Sequence, residues 1–171
     1  MRRFADRVAL VTGASSGIGR ATALRLAEQG AAVALVALPG DDLESAAAEC
    51  RSTGTAAVAV PADVADSREA AAAFDHAETL GPVSAVFSNA GISIVGPAVS
   101  LTDDDWLRQL HVNLSGSFYV LREAARRMIP RLAARPTSRR SRFADRADKA
   151  RGRLFAGSGR SARRSPRRPR P

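Results

Sequence analysis

Apolar residues gather in four short runs along the first half of the chain. They lie at residues 8–11, 32–36, 56–61 and 83–88, and the first belongs to a strand predicted over residues 6–13. Unbroken apolar runs of this length are typical of strands that are buried on both faces of a sheet. The sequence therefore predicts four strands, and the segments between them should cross over the faces of the sheet.

In the segments between the runs, the apolar residues have the spacing of helices. We expect helices over residues 17–29, from 41 or 42 to about 53, and from 68 to about 79. Asp41 or Asp42 can cap the second helix, and Asp66 or Ser67 can cap the third. Strand and helix alternate four times, which predicts an α/β fold with a Rossmann-type, doubly wound parallel sheet of about four strands.

A longer helix should follow from Thr102, a capping residue, to roughly Arg131. Pro130 should end or kink it. One apolar stripe runs along this helix, at Leu101, Trp106, Leu110, Leu114, Phe118 and Leu121. Such spacing predicts a face that packs against other apolar surface.

Charge divides the chain into two parts. Residues 1–134 carry 12 arginines and 15 acidic residues, a net charge of −3, whereas residues 135–171 carry a net charge of +12. The second part is rich in Arg, Pro, Ser, Ala and Gly and shows no period. We therefore expect a folded domain over 1–134 and a disordered basic tail over 135–171.

Several classes of protein are disfavoured by the composition. Cys50 is the single cysteine, so no internal disulfide can form and a cytoplasmic location is expected. No apolar run is long enough to cross a membrane, and Met1 leads straight into the first strand without a signal peptide. His76 and His111 lack partners at metal-ligand spacing, so no metal site is predicted.

Candidate chemistry begins in the glycine-rich turn between the first strand and the first helix. Its spacing is G-x-x-x-G-x-G over Gly13, Gly17 and Gly19. A strand, a glycine turn and a helix N-terminus together gather backbone N–H groups that suit a pyrophosphate. Gly13 would permit the turn, Gly17 close approach of the ligand, and Gly19 close packing of helix and strand. A plain tight turn is the alternative.

Four motifs in order resemble the short-chain dehydrogenase/reductase family. They are Thr12–Gly19, Asp63-Val64, Asn89-Ala90-Gly91 and Asn113 within His-Val-Asn-Leu-Ser-Gly. The resemblance covers residues 1 to about 131, which correspond to the family's N-terminal, cofactor-binding half. It implies an oxidoreductase that transfers hydride between NAD or NADP and a small alcohol or carbonyl substrate. It also implies pairing of two copies through the long helix.

The resemblance also implies a role for each motif. The first motif would hold the cofactor's phosphates and adenosine ribose, through Gly13, Ser15, Ser16, Gly17, Ile18 and Gly19. Asp63 would accept a hydrogen bond from the adenine amino group, with Val64 beside the ring. Asn89 would stabilise the central strands. Ala90 and Gly91 would let the nicotinamide ribose lie close to the backbone.

Asn113 corresponds to the family's catalytic asparagine, whose main chain holds a water that links the active-site lysine to a proton relay. The lysine belongs to a Tyr-x-x-x-Lys motif that follows a serine. This chain has no such motif, because Tyr119 is followed four residues later by Glu123, and Lys149 is preceded by Asp145. We therefore expect no appreciable turnover from this chain.

The choice of cofactor depends on the end of the second strand, where an acidic residue binds a ribose hydroxyl and an arginine binds a 2′-phosphate. Ala37 and Leu38 do neither. Asp41 and Asp42 would repel a phosphate, which favours NAD, whereas Arg20 argues for NADP.

Two explanations fit the basic tail. We favour a truncated or frameshifted dehydrogenase gene, because GC-rich codons supply Arg, Ala, Pro, Gly and Ser in any frame. The alternative is a nucleotide-binding pseudoenzyme with a nucleic-acid-binding tail. For either, the family's sheet would be cut to the order 3-2-1-4, which leaves the fourth strand as an apolar edge.

Overall fold

The fold, taken from a computed structural model, is described for residues 2–133. Its strands are β1 (Val8–Thr12), β2 (Ala32–Ala37), β3 (Ala57–Pro61) and β4 (Val83–Phe87). Its helices are α1 (Gly17–Glu28), α2 (Asp41–Ser52), α3 (Ser67–Ala77), α4 (Asp103–Leu110) and α5 (Ser117–Ala133). The predicted tail over 135–171 lies outside the described residues.

The four strands form one parallel sheet in the order β3-β2-β1-β4. Val11 of β1 pairs with Leu35 of β2 on one side and with Phe87 of β4 on the other. The predicted Rossmann-type sheet is therefore confirmed. Since all strands run the same way, their carboxyl ends and the loops that follow them meet at one edge of the sheet.

Helices cover both faces of this sheet. One buried cluster includes Ala23 of α1 and Ala46 of α2, and the other includes Phe74 of α3 and Val120 of α5. The central strands β1 and β2 are buried on both sides because of this double cover, which explains their unbroken apolar runs. β4 ends the sheet among the described residues, and Phe87 is 39% exposed there.

Two predicted caps are present and one is wrong. The carboxylate of Asp66 accepts from the N–H of Arg68 at 2.7 Å and of Glu69 at 3.1 Å. Thr102 forms a capping box with Asp105. Helix α2 instead has Gly40 at its N-cap, and Asp41 and Asp42 lie in its first turn. There they still complement the helix dipole without accepting a capping bond.

The long helix differs from its prediction in two ways. A turn of π-helix, His111–Gly116, separates α4 from α5. Helix α5 continues through Pro130 to Ala133, so Pro130 does not end it within the described residues. Most of the predicted apolar stripe is exposed, at Leu101, Trp106, Leu114, Phe118 and Leu121, and its remaining member, Leu110, is half-buried. Val120 and Ala124 face the sheet instead, so the helix has two apolar faces.

The third helix is shorter than its prediction. It ends at Ala77, and Glu78–Leu80 form a 3₁₀ turn that leads to β4. Within residues 2–133, no helix has both the length and the apolar character that a membrane span requires.

Candidate functional site

The glycine-rich turn is held against the loop that follows β4. Gly13 has φ of 64°, a conformation that favours glycine. A Cβ on Gly13 would lie 2.9 Å from the Cα of Ala90, and one on Gly19 would lie 2.0 Å from the carbonyl oxygen of Gly13. Side chains at these two positions would separate β1, α1 and the β4 loop. Gly17 differs, because a Cβ there would meet nothing within 4 Å.

The start of α1 lacks both a capping side chain and an acidic residue. Ser16 occupies its N-cap, yet no side chain accepts a capping hydrogen bond, and the first turn has no acidic residue. By contrast, the first turns of α2, α3 and α4 all contain acidic residues. The N–H groups and positive dipole end of α1 are therefore left for a ligand.

Hydrogen bonds to Thr12 hold the motif after β4 against the end of β1. Its hydroxyl accepts from the N–H of Asn89 at 2.9 Å and from the N–H of Ala90 at 3.0 Å. The carboxamide of Asn89 donates to the carbonyl of Thr12 at 3.2 Å and to that of Gly13 at 3.4 Å. Thr12 was not among the predicted site residues, although a polar residue at the end of a buried strand was a signal that could have found it.

The loop after β3 presents Asp63. One carboxylate oxygen, Oδ1, accepts from the N–H of Ala65 at 2.8 Å, and the N–H of Asp63 donates to Glu69 at 2.8 Å. The Oδ2 atom makes no hydrogen bond to the other residues of the 2–133 range. Asp63 is thus held in a fixed orientation with one oxygen left to accept a ligand's N–H.

Asn113 lies in the π turn and clamps the loop after β4. Its Oδ1 accepts from the N–H of Ile92 at 2.8 Å, and its Nδ2 donates to the carbonyl of Ile92 at 2.9 Å. This side chain therefore holds the backbone next to Gly91. Nothing at the sequence level signalled the π turn.

A cavity of about 970 Å³ lies at the carboxyl edge of the sheet. Ten of the twelve predicted site residues line it: Gly13, Ser15, Ser16, Gly17, Ile18, Asp63, Val64, Asn89, Ala90 and Gly91. Gly19 and Asn113 lie behind the wall, where they pack against Gly13 and bind Ile92.

Further residues line the cavity that the motifs did not include. They are Ala37, Leu38, Ala62, Ala65, Ile92, Asp104, Leu107, Arg108, His111 and Val112. Ile18 is 72% exposed and Leu38 62% exposed, so the cavity offers apolar surface. One helix face carries Asp104, Leu107, Arg108 and His111, at spacings of three and four. The sequence did not single out this face, because α4 also carries other acidic and apolar residues.

Arg20 does not line the cavity. Its Nε donates to Glu49 at 2.9 Å, and Nη2 donates to Ser45 at 3.3 Å, so its guanidinium joins α1 to α2. In the range 2–133, no three His, Cys, Asp or Glu side chains are arranged to hold a metal ion.

The parallel sheet, the glycine turn and the cavity at the carboxyl edge define a Rossmann-type domain. The short chain dehydrogenase family model matches residues 7–136. The chain belongs to the short-chain dehydrogenase family.

Individual relatives agree with this assignment. The short-chain dehydrogenase/reductase eriH of Hericium erinaceus is 40% identical over 132 residues, which are 73% of this chain and 52% of that protein. A crystal structure of NAD⁺-bound xylitol dehydrogenase matches with 37% identity and a TM-score of 0.72, over 75% of this chain and 50% of that one.

A short chain dehydrogenase of Burkholderia cenocepacia, in complex with NADP, matches with 35% identity and a TM-score of 0.71. The match covers 74% of this chain and 52% of that one. The chain therefore spans about half the length of the relatives it matches.

Proposed function

We propose that this chain binds a nicotinamide dinucleotide in the cavity at the carboxyl edge of the sheet. The observation that carries the proposal is the uncapped first turn of α1 at one end of a cavity that also contains Asp63 and Gly91. The amide groups of α1 would hold the diphosphate, and Oδ2 of Asp63 would accept from the adenine amino group. Leu38 and Val64 would flank the ring.

We further propose that the whole protein is an oxidoreductase. The bound nicotinamide supplies hydride chemistry at an alcohol or carbonyl carbon. In this chain Gly91 and the carboxamide of Asn113 would shape the wall beside the nicotinamide ribose. The family's chemistry uses a Tyr-x-x-x-Lys motif to move the substrate's hydroxyl proton. The given sequence contains no such motif, so we expect this chain to bind the cofactor without appreciable turnover.

We propose NAD as the preferred cofactor. Ala37 and Leu38 bring no charge to the end of β2, and Arg20 is bound by Glu49 and Ser45. Among residues 2–133, the cavity contains one guanidinium, Arg108, which comes from α4 rather than from the end of β2. A 2′-phosphate would therefore lack the arginine that NADP sites place after the second strand.

Fluorescence titration of the full chain with NADH and NADPH tests both proposals. We expect saturable NADH binding, weaker binding of NADPH, and a severalfold loss of NADH affinity in Asp63→Asn. Asp75→Asn is the matched control, because Asp75 lies on α3 away from the cavity. A folded chain that binds neither dinucleotide would contradict the proposal. Tighter binding of NADPH, lost in Arg108→Gln, would assign the preference to NADP.

We also propose that two copies associate through the exposed apolar stripe of α4 and α5. Asp103, Asp104 and Asp105 lie at one end of this helical segment, and Arg126 and Arg131 lie towards the other. Antiparallel pairing would bring the acidic end of one copy to the basic end of its partner. Exposed apolar side chains on both sides would be buried together.

Sedimentation velocity measures this association. The full chain should show a concentration-dependent dimer, and Leu121→Ser should shift it to monomer without lowering the thermal midpoint. Val99→Ser removes an apolar side chain from a different segment, where it is 97% exposed against 53% for Leu121, and should leave the dimer intact. A wild-type chain that stays monomeric would contradict the proposal.

A further inference from the structure

Ser117 is the first residue of α5 and directly follows the π turn. Its Oγ donates to the carbonyl oxygen of Asn113 at 2.8 Å, whereas its backbone N–H donates to the carbonyl of Leu114. In a regular α-helix the N–H of Ser117 would donate to Asn113. The hydroxyl therefore takes the place of a backbone bond that the π turn has removed.

The carbonyl of Asn113 belongs to the residue whose side chain clamps Ile92. Both polar atoms of that carboxamide are engaged by the backbone of Ile92, at 2.8 and 2.9 Å. A Cβ on Gly91 would lie 3.2 Å from Oδ1 of Asn113. The position of the Asn113 backbone thus decides where the Gly91–Ile92 wall of the cavity lies.

We infer that Ser117 is a positioning residue for this wall. Its hydroxyl satisfies the carbonyl of Asn113, keeps the π turn in register, and so fixes the Asn113 carboxamide on Ile92. An alanine would remove this hydroxyl donor from the carbonyl, and the turn would relax towards an α-helical ladder in which the N–H of residue 117 donates to Asn113. Relaxation would rotate Asn113 and release Ile92. The effect on the cofactor rests on the proposed function, but the effect on Ile92 does not.

Amide hydrogen exchange of Ile92, measured without cofactor, tests the inference. Ser117→Ala should speed exchange at Ile92 about fivefold, the change expected for loss of one ordinary hydrogen bond, while amides of β1 keep their wild-type rates. Ser117→Thr should restore slow exchange, because a threonine hydroxyl can make the same bond to the carbonyl four residues earlier. Ser115→Ala is the matched control: Ser115 lies in the π turn, and its hydroxyl makes no hydrogen bond within the described part of the chain.

Two results would overturn the inference. One is unchanged Ile92 exchange in a folded Ser117→Ala. The other is an equal rise in exchange at Ile92 and throughout the sheet, which would show a general loss of stability. NADH titration of the same variants adds a second readout, in which Ser117→Ala should bind several times more weakly than Ser115→Ala. If the wild-type chain binds no dinucleotide, the proposed function fails, and the exchange of Ile92 still decides the role of Ser117.

Discussion

A Cβ on Gly19 would lie 2.0 Å from the carbonyl oxygen of Gly13, which is far inside van der Waals contact. The start of α1 therefore rests directly on the backbone of the glycine turn. Because the backbones of Gly13 and Gly19 lie so close, the uncapped N–H groups at the start of α1 lie at the cavity. The glycine at position 19 is required by packing, not by an unusual backbone angle.

Gly19→Ala should lower the free energy of unfolding by about 1–3 kcal/mol, the usual effect of forcing a methyl group into a packed site. Urea denaturation followed by circular dichroism measures the change. Gly96→Ala is the matched control, because a Cβ at Gly96 would lie 3.6 Å from Cδ2 of Leu101, an ordinary van der Waals distance. Equal midpoints for the two variants would show that α1 does not rest on Gly13.

Thr12→Val should destabilise the fold by about 2 kcal/mol or more, because the buried N–H groups of Asn89 and Ala90 would lose their acceptor. The substitution keeps the volume of the side chain, so packing is little changed. Thermal and urea unfolding measure the loss. Thr79→Val, at an exposed threonine, should change stability by less than about 0.5 kcal/mol. A Thr12→Val protein as stable as that control would contradict the assigned contacts.

Arg127 joins α5 to the end of α3. Its guanidinium bonds to Glu123 at 2.7 Å, Asp75 at 2.8 Å and Glu78 at 3.1 Å, and its side chain is only 19% exposed. Arg127→Met should cost about 2 kcal/mol, because partly buried carboxylates would lose their cation. Arg126→Met is the matched control, since Arg126 is 65% exposed and 3.6 Å from Glu123. Its effect should be below about 0.5 kcal/mol. Equal urea midpoints for the two variants would contradict this account.

Lowering the pH should destabilise the fold. The guanidinium of Arg131, 2.7 Å from Oε1 of Glu78, and a hydrogen bond from Arg127 hold the pKa of Glu78 below its ordinary value, although desolvation opposes this. Backbone N–H groups of Glu69 and Arg68 likewise lower the pKa of Asp66. Groups with a lowered folded pKa stabilise the fold above their unfolded pKa and lose that contribution as the pH falls through the folded value.

The urea midpoint should therefore be steady near neutral pH and fall below about pH 4.5, close to the unfolded pKa of these carboxyls. Glu78→Gln should unfold at lower urea near pH 7 and lose less of its midpoint on acidification. A midpoint that rises between about pH 5 and pH 3 would contradict the assigned pKa directions.

The sequence predicted the sheet well because β1 and β2 are buried on both faces and carry continuous apolar runs, and shorter apolar segments mark β3 and β4. It predicted Asp66 and Thr102 as caps because a short polar side chain precedes each helix. Gly40 was missed, since Asp41 and Asp42 have the preferred capping side chains and only the backbone path shows that the helix starts before them.

Features that depend on tertiary contacts were harder to predict from the sequence. The π turn at His111–Gly116 accompanies the contact of Asn113 with Ile92, which lies 21 residues earlier, and no local propensity signals it. The apolar stripe on α4 and α5 was visible, but its exposure depends on which helix face meets the sheet. Arg108 and His111 line the cavity through a helix face that sequence spacing alone did not distinguish from a solvated one.

The central claim is that the amide groups at the start of α1 bind the diphosphate of a nicotinamide dinucleotide. Two-dimensional ¹H–¹⁵N spectra of the full chain with NADH at up to about 1 mM test it residue by residue. The claim predicts saturable shifts of the amide signals of residues 15–19 and 90–92, with little change at Ala73 and Ala77 on α3. Unchanged signals at residues 15–19 in a folded sample would contradict it.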